Sequence, residues 1–317
     1  MNESPALVKM NNLKKYFQTP SGLVHAVDGI NMEIKKGSTL GVVGESGCGK
    51  STLGRLLVRL LEPTGGEVYF GDQNIFSLNR PETKKLRTKM QMIFQDPYAS
   101  LNPRMTISQT IAQPMKINKT FKSKNEMFSR VEELMETVGL AARYENSYTH
   151  ELDGGRRQRI GIARALSLNP EFIVCDEPVS ALDVSIQAQI LNLMMDLQDK
   201  MGLTYMFITH NLSVVKHIST EIAVMYLGHC VEKCESKELF KNPLHPYTQA
   251  LLNAIPTPVL KKNKERKIIK GEITSPIDPA PGCRFAPRCP HVKAVCTAGD
   301  ISFKEVSPGH FVNCVLY

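Results

Sequence analysis

Short apolar runs alternate with longer amphipathic stretches from about residue 5 to residue 235. Four of these runs are apolar almost throughout, namely Thr39–Val43, Phe172–Cys175, Thr204–Thr209 and Ile222–Tyr226. Strands that are covered on both faces have this composition. The pattern therefore predicts an α/β domain built around a largely parallel sheet.

The pattern changes to a helical period between Thr106 and Leu168. One face of this stretch carries the apolar residues Val131, Leu134, Met135 and Val138. We interpret it as a helical insertion into the α/β core, at about residues 100–168. After Cys230 many prolines interrupt a loop-rich tail. We therefore predict one domain over residues 1–235 and an extension over residues 236–317.

Composition adds limits on location. The chain has 317 residues, of which 42% are hydrophobic and 22% charged, as in an ordinary folded protein. No apolar run approaches the ~18 residues that a membrane-spanning helix needs. The start, MNESPALVKM, lacks the features of a secretory signal. We predict a protein on the cytoplasmic side whose contact with any membrane comes through a partner.

The net charge of +8 fits nucleic acid, an anionic membrane surface or phosphate ligands. The densest basic run, Lys261–Lys267, lies between proline-containing segments and has no interleaved aromatic residues. These features favour a solvated linker over a nucleic-acid patch. Charge alone does not choose between the remaining partners.

The most specific motif is GESGCGKS, which lies between the apolar run LGVV and the amphipathic stretch TLGRLLVRLL. It matches the phosphate loop G-x-x-x-x-G-K-[ST] in its strand–loop–helix context. Glycines let backbone N–H groups converge on phosphates, and the following helix directs its positive end there. Lys50 supplies charge to the β- and γ-phosphates, and the Ser51 hydroxyl can bind Mg²⁺. We predict ATP contacts from Gly44, Glu45, Ser46, Gly47, Cys48, Gly49, Lys50, Ser51 and Thr52.

A second apolar run, FIVC, ends in Asp176 and Glu177. A strand that ends in acids can place carboxylates beside a phosphate loop. We predict that Asp176 holds Mg²⁺ through water and that Glu177 polarises the attacking water.

The segment LDGGRRQRIGIARAL, Leu152–Leu166, resembles the signature motif of the ATP-binding cassette (ABC) ATPases. This resemblance implies an ABC-type P-loop NTPase with an antiparallel β subdomain and a helical subdomain. In that family two subunits enclose two ATP molecules, each held by one chain's phosphate loop and the other chain's signature. The signature contacts would come from Asp153, Gly154, Gly155 and Arg156.

Other family markers follow in the expected order. Tyr16 in LKKYF resembles the aromatic residue that stacks on adenine, and Gln95 in MIFQDP resembles the Q-loop glutamine that reaches Mg²⁺ and the attacking water. Asp183 in SALDVS resembles the D-loop acid, and His210 in FITHNL the switch histidine that contacts the γ-phosphate. Each residue alone would be ordinary, but their joint order favours the functional interpretation. The implied catalytic set is Lys50, Gln95, Glu177 and His210; the implied Mg²⁺ set is Ser51, Gln95 and Asp176.

Two positions depart from the family pattern, which usually has serine at Asp153 and glutamine at Arg156. An aspartate cannot donate a hydrogen bond to the γ-phosphate and adds like charge. One hypothesis is therefore an asymmetric heterodimer in which this chain's signature completes a weaker site on its partner. The alternative is that Asp153 caps the helix and is shielded by Arg156.

Two tail segments, residues 242–258 and 271–290, are similar to the C-terminal extension of dipeptide/oligopeptide and nickel importer ATPases, most of all to the F-type subunit of the dipeptide/oligopeptide pair. This similarity implies a second ATPase subunit, two transmembrane permeases, an extracellular peptide-binding protein and a peripheral location on the cytoplasmic membrane face. One alternative is import of nickel or a metal chelate. Another is a soluble ABC ATPase acting on ribosomes or DNA, although the sequence has neither a second cassette nor a long coiled-coil insertion.

Four cysteines lie in the tail with the spacing C-x5-C-x6-C-x17-C, at Cys283, Cys289, Cys296 and Cys314. The spacing lacks the C-x2-C pairs of structural zinc sites and fits iron–sulfur ligation better, with Pro290 directly after Cys289. The resemblance implies a [4Fe-4S] cluster with a structural role; zinc or free or oxidised thiols are the alternatives. Cys230 and Cys234 are predicted to be packing residues.

Overall fold

The computed structural model describes residues 5–255, 271 and 275–317. The basic run Lys261–Lys267 lies outside the described residues, as do residues 256–258 and 272–274 of the two tail segments. The prediction that the basic run is a linker therefore stays a prediction.

The N-terminal part forms an antiparallel sheet. Its strands lie in the order β2-β1-β4-β5 and comprise β1 (Ala6–Thr19), β2 (Gly22–Lys35), β4 (Gly65–Phe70) and β5 (Gln73–Asn74). Apolar residues on one face of this sheet, such as Val8, Leu13 and Ile34, pack in one core with residues of the second sheet. The antiparallel subdomain implied by the sequence resemblance is therefore present.

The second sheet has eight strands in the order β11-β12-β10-β9-β3-β8-β7-β6. Its parallel part consists of β3 (Thr39–Val43), β6 (Met90–Ile93), β7 (Phe172–Asp176), β8 (Thr204–Ile208) and β9 (Glu221–Tyr226). Its antiparallel part consists of β10 (His229–Glu235), β11 (Lys304–Ser307) and β12 (His310–Val312). Every residue of β3, β7 and β8 is buried, as expected for strands covered on both faces. The four predicted strands agree with the observed ones within one residue at each end.

Helices cover both faces of this sheet and form the insertion. They are α1 (Lys50–Leu57), α2 (Arg80–Lys89), α3 (Pro97–Ser100), α4 (Ile107–Asn118), α5 (Lys124–Thr137), α6 (Gly154–Leu166), α7 (Val184–Met201), α8 (Leu212–Ile218), α9 (Ser236–Lys241) and α10 (Pro246–Asn253). The predicted apolar face of α5 and the residue after it is confirmed, since Val131, Leu134, Met135 and Val138 are all at most 2% exposed. They pack with α4 and α6 in one core, which confirms the helical insertion.

The tail continues the second sheet. Strand β12 pairs antiparallel with β10, and β11 pairs with β12 at the sheet edge. Residues of α10 and of the cysteine-rich segment pack against β9 and β10 in a third core. The division between a domain and an extension at residue 235 stays a prediction. No helix in the described part of the chain is both long and apolar enough to span a bilayer.

Candidate functional site

The phosphate loop connects β3 to α1 and depends on glycine at two points. Gly44 and Gly49 have φ angles of 154° and 100°. A Cβ atom would lie 2.2 Å from the Met225 carbonyl oxygen at Gly44 and 1.9 Å from the Ala26 carbonyl oxygen at Gly49. Only glycine fits this path.

The remaining loop residues differ in exposure, and Glu45, Ser51 and Thr52 are half-buried. Ser46 and Gly47 are exposed at the tip, whereas Lys50 is only 5% exposed. The Lys50 ammonium donates to the carbonyl oxygens of Gly44 at 2.8 Å and Glu45 at 2.9 Å. Cys48 is also buried, and burial raises the pKa of its thiol. The lysine is thus held within the loop, where an arriving phosphate can replace its carbonyl partners.

The first strand-end acid lies directly beside this loop. Ser51 Oγ donates to Asp176 Oδ1 at 2.7 Å, which joins the start of α1 to the end of β7. Asp176 is 2% exposed, and burial raises the pKa of its carboxyl. A hydroxyl and a carboxylate oxygen are the hard ligands that Mg²⁺ prefers, so this pair fits the predicted metal.

The second acid, Glu177, contacts side chains that follow two other strands, β6 and β8. Gln95 Nε2 donates to Glu177 Oε2 at 3.1 Å, and His210 Nδ1 lies 3.2 Å from Glu177 Oε1. The Glu177 side chain is 15% exposed and that of His210 61% exposed. Glu177 also has a φ of 46°, a left-handed conformation that is unusual away from glycine and common at functional sites. In this structure Gln95 contacts Glu177, whereas its predicted role toward Mg²⁺ stays a prediction.

The predicted adenine-stacking residue, Tyr16, has one ring face covered. Its ring stacks on His25 with centroids 4.0 Å apart, and its hydroxyl donates to Asp28. Burial alone would raise the pKa of the Asp28 carboxyl. The pKa is instead held well below its usual range by hydrogen bonds from His229, Tyr16 and His25 and by the nearby charge of Arg284.

The signature residues lie at the start of α6. The Asp153 carboxylate accepts from the Arg156 backbone N–H at 2.8 Å and also pairs with the Arg156 guanidinium. This is the capping geometry of the second alternative raised by the sequence. A Cβ at Gly155 would lie 2.6 Å from Ile186 Cγ2 of the same chain, while Asp183 is exposed just before α7.

The four tail cysteines line one enclosed cavity together with His245 and Phe285. Cys230 and Cys234 lie elsewhere and are 6% and 1% exposed, which confirms their predicted packing role. Sequence reasoning missed a set of tail side chains that reach the nucleotide-site strands and loop: Tyr247, Arg284 and Arg288. All three lie in the tail segments whose family resemblance the sequence showed, but no periodicity or residue spacing indicated that they contact the nucleotide site.

Two family models match the chain. One, described as "ABC transporter", matches residues 27–180, and the other, "Oligopeptide/dipeptide transporter, C-terminal region", matches residues 231–296. The chain is 51% identical over 325 residues to the oligopeptide transport ATP-binding protein AppF of Bacillus subtilis, with 98% of this chain and 97% of that protein covered. It is 50% identical over 323 residues to the dipeptide transport ATP-binding protein DppF of Haemophilus influenzae, with 99% and 98% covered.

Among solved structures, a dimeric ATP-binding cassette bound to ADP and Pi matches with a TM-score of 0.66 and 30% identity, over 72% of this chain and 98% of that one. The phosphate loop, the strand-end acids and the signature helix lie within residues 27–180, the range that the first family model matches. The chain therefore belongs to the ABC transporter family, as an ATPase subunit similar over its whole length to oligopeptide and dipeptide transport ATP-binding proteins.

Proposed function

We propose that this chain hydrolyses ATP to drive the import of dipeptides or oligopeptides through a membrane transporter. The observation that carries the proposal is the meeting of three strand ends at one carboxylate: Glu177 contacts both Gln95 and His210 beside the phosphate loop. The tail match and the names of the full-length relatives support peptides as the cargo.

Each group has a distinct part in the chemistry. Backbone N–H groups of the loop and the Lys50 ammonium bind the phosphates, and Ser51 and Asp176 would hold Mg²⁺, which neutralises phosphate charge when bound. Glu177 orients the attacking water and accepts its proton. His210 is exposed at the strand end, where it can donate to the γ-phosphate. Tyr16 would stack on adenine through the ring face that His25 leaves free.

The complete site would need a second subunit. The signature residues Asp153–Arg156 and Asp183 would face the ATP held by a partner ATPase, and the partner's signature would close over this chain's loop. Closure then depends on bound ATP, and hydrolysis releases it. The full complex would contain two permeases and an extracellular peptide-binding protein, with this chain peripheral on the cytoplasmic face.

Each ATP site combines the phosphate loop of one subunit with the signature of the other. Whether the two sites differ in ATP affinity or hydrolysis rate depends on Asp153. Its carboxylate is already paired with Arg156, so less negative charge faces the partner's phosphate than an isolated aspartate would present. We test the asymmetric hypothesis with Asp153→Ser in the assembled complex. A rise in ATPase rate or ATP affinity supports a weaker site; unchanged values show that Asp153 acts as a helix cap only.

Reconstituted transporter tests the main proposal. Glu177→Gln is expected to lower peptide-dependent ATPase activity by about 10²-fold or more, as for loss of a general base, while Mg-ATP binding persists. Glu136→Gln, an exposed carboxylate on α5, is the control and should retain activity. Wild-type hydrolysis in the Glu177 variant would refute the assignment.

Two further experiments test which cargo is imported and whether the chain belongs to a transporter. Uptake of labelled peptides against labelled nickel by the same vesicles distinguishes the two importer hypotheses. Co-purification with permeases rather than ribosomes separates a transporter from a soluble ABC ATPase.

We further propose that the four tail cysteines bind a [4Fe-4S] cluster. Backbone N–H groups of His291 and Lys293 point at the sulfurs of Cys289 and Cys296, each at 3.4 Å, as donors do around bound thiolates. Burial raises the pKa of Cys283 to about 11, so this residue is a neutral thiol until a metal group displaces its proton.

Either metal group would require the cysteine loops to move. Among the described residues, no three of the four tail sulfurs lie within 4.8 Å of one another, so a tetrahedral zinc, with sulfurs ~4 Å apart, would need them to approach. The enclosed space is about 10 Å³, so a cluster would need the loops to separate. We prefer the cluster because the spacing along the sequence lacks C-x2-C pairs.

Iron and sulfide assays with visible absorbance on anaerobically purified protein test the cluster. About four iron and four sulfide per chain are expected for the cubane type, with loss of both in Cys289→Ser. One zinc per chain without colour would refute the proposal.

A further inference from the structure

The segment between the first two tail cysteines, residues 284–288, connects the tail to the nucleotide site. Arg284 near its start pairs with Asp28 of β2. Phe285 packs edge-on against Tyr226 at the end of β9, with ring centroids 5.3 Å apart. Arg288 at its end reaches the phosphate loop. The tail thus contacts the strands and the loop that form the predicted ATP site.

The contact with the phosphate loop is a bidentate ion pair. Arg288 Nη1 lies 2.9 Å from Glu45 Oε2, and Arg288 Nη2 lies 3.2 Å from Glu45 Oε1. The arginine side chain is 7% exposed and the glutamate side chain 24% exposed. Arg288 Nη1 also donates to the Tyr226 hydroxyl at 3.2 Å. Paired, charge-assisted bonds with limited water access fix orientation more strongly than single surface contacts.

A second tail residue holds the backbone of the same loop position. The Glu45 backbone N–H donates to the Tyr247 hydroxyl of α10 at 2.9 Å. Tyr247 is 0% exposed and packs against Tyr226 and Phe285, so its hydroxyl has a fixed position. The Glu45 carbonyl oxygen accepts from Lys50, the residue that is predicted to bind phosphate.

Phosphate loops bind through backbone N–H groups whose directions depend on the loop's conformation. Glu45 is the second residue of this loop, and the tail restrains both its side chain and its backbone. We propose that Arg288 and Tyr247 are positioning residues that hold Glu45, so that the tail sets the affinity of the phosphate loop for nucleotide. This inference rests on the proposed ATPase function.

The test is a double-mutant cycle on the full-length chain. Dissociation constants for ATP and ADP are measured by displacement of a fluorescent nucleotide from Arg288→Gln, Glu45→Gln and the double variant. Each single variant is expected to bind about tenfold more weakly, the loss of about one charge-assisted bond. The double variant should bind no more weakly than the worse single one, because each substitution removes the same contact. Arg104→Gln, at an exposed arginine, is the control.

Further readouts separate positioning from a merely structural role. In the reconstituted transporter, Arg288→Gln should raise KM for ATP while kcat at saturating ATP stays near wild type. Arg288→Lys should bind nucleotide more tightly than Arg288→Gln but less tightly than wild type. Lysine keeps the positive charge but lacks the planar guanidinium that forms two parallel bonds to a carboxylate. Tyr247→Phe keeps the aromatic packing and removes only the hydroxyl, and it should weaken binding several-fold.

Three results would overturn the inference: unchanged nucleotide affinity in Arg288→Gln and Tyr247→Phe, additive effects in the cycle, or a lower Tm with unchanged KM. If the wild-type chain itself bound no Mg-ATP, the proposed function would fail together with the inference. If the wild type binds and the variants bind equally well, only the inference fails.

Discussion

Asp28 is a charged residue outside the phosphate loop whose ionisation should stabilise the fold. Its carboxylate is 15% exposed and bonded to Tyr16, His25 and Arg284. Its pKa lies well below the usual 3.8, mainly because those bonds outweigh the effect of burial. The charged form therefore stabilises the folded state above about pH 4, and this contribution is lost as the pH falls below 3.8.

We expect Asp28→Asn to lower the free energy of unfolding by about 2 kcal/mol at pH 7, as for loss of hydrogen bonds to a charged group. The difference in unfolding free energy between the variant and wild type should narrow below pH 3.8 by about 1.4 kcal/mol per pH unit, because the Asp28 of the unfolded wild type becomes protonated there. Urea unfolding at several pH values measures it, with the exposed Asp72→Asn as control. A difference that stays constant down to pH 3 would contradict the assignment.

At the scale of elements, α6 carries three glycines, and two of them, Gly155 and Gly161, have different surroundings. A Cβ at Gly155 would lie 2.6 Å from Ile186 Cγ2 on α7, while a Cβ at Gly161 would meet nothing within 4 Å. Alanine is favoured over glycine inside a helix by about 1 kcal/mol. The two positions therefore separate helix propensity from packing between helices.

Gly161→Ala should raise the free energy of unfolding by up to about 1 kcal/mol. Gly155→Ala should lower it by about 1–2 kcal/mol, because Ile186 must move and α6 then separates from α7. Urea titration of both variants checks the pair. Equal effects at the two sites would show that the packing of α7 adapts without cost.

The sequence predicted the positions of the helices and strands better than it predicted contacts between distant residues. Apolar runs located β3, β7, β8 and β9 within a residue, because strands buried on both faces have few polar positions. Motifs located Lys50, Asp176 and Glu177, because their chemistry requires a short-range order of residues. The interpretation of Gly155 was less complete: the family resemblance implied a contact with the ATP held by a partner, and it did not indicate that Ile186 of the same chain leaves no room for a side chain there.

At the scale of the molecule, Glu232 joins three parts of the chain. This residue of β10 is 0% exposed, and its carboxylate accepts from the backbone N–H groups of Leu244 and His245 and lies 2.8 Å from His310 Nε2 of β12. A buried carboxylate is tolerated only when such partners satisfy it. The tail is therefore fastened to the second sheet by polar bonds as well as by strand pairing.

Glu232→Gln should cost about 2–3 kcal/mol of unfolding free energy, because the amide cannot accept all three bonds and leaves a buried donor unsatisfied. Limited proteolysis should then cut the tail faster than in wild type. Glu235→Gln, an exposed residue of the same strand, is the matched control. Equal proteolysis of both variants would show that Glu232 does not hold the tail.

Contacts at this scale could not be predicted from the sequence. Arg288 and Glu45 are 243 positions apart, and Arg284 and Asp28 are 256 apart. Periodicity reports which face of an element is apolar, and it carries no signal for a single polar pair formed between distant segments. The same limit applies to β12, whose three residues are too few to show alternation.

Strand β12 pairs with β10 at Glu232 and Lys233. This pairing also covers the edge of β10, which could otherwise pair with a strand of another copy of the chain. A chain ended after Glu235 would leave β10 as an uncovered strand with unpaired backbone donors and acceptors. Such an edge recruits strands from neighbouring molecules. We expect the truncated protein to aggregate with rising concentration, seen by light scattering, whereas the full chain should remain monodisperse, since its outermost strand β11 is short and carries the charged residues Lys304 and Glu305.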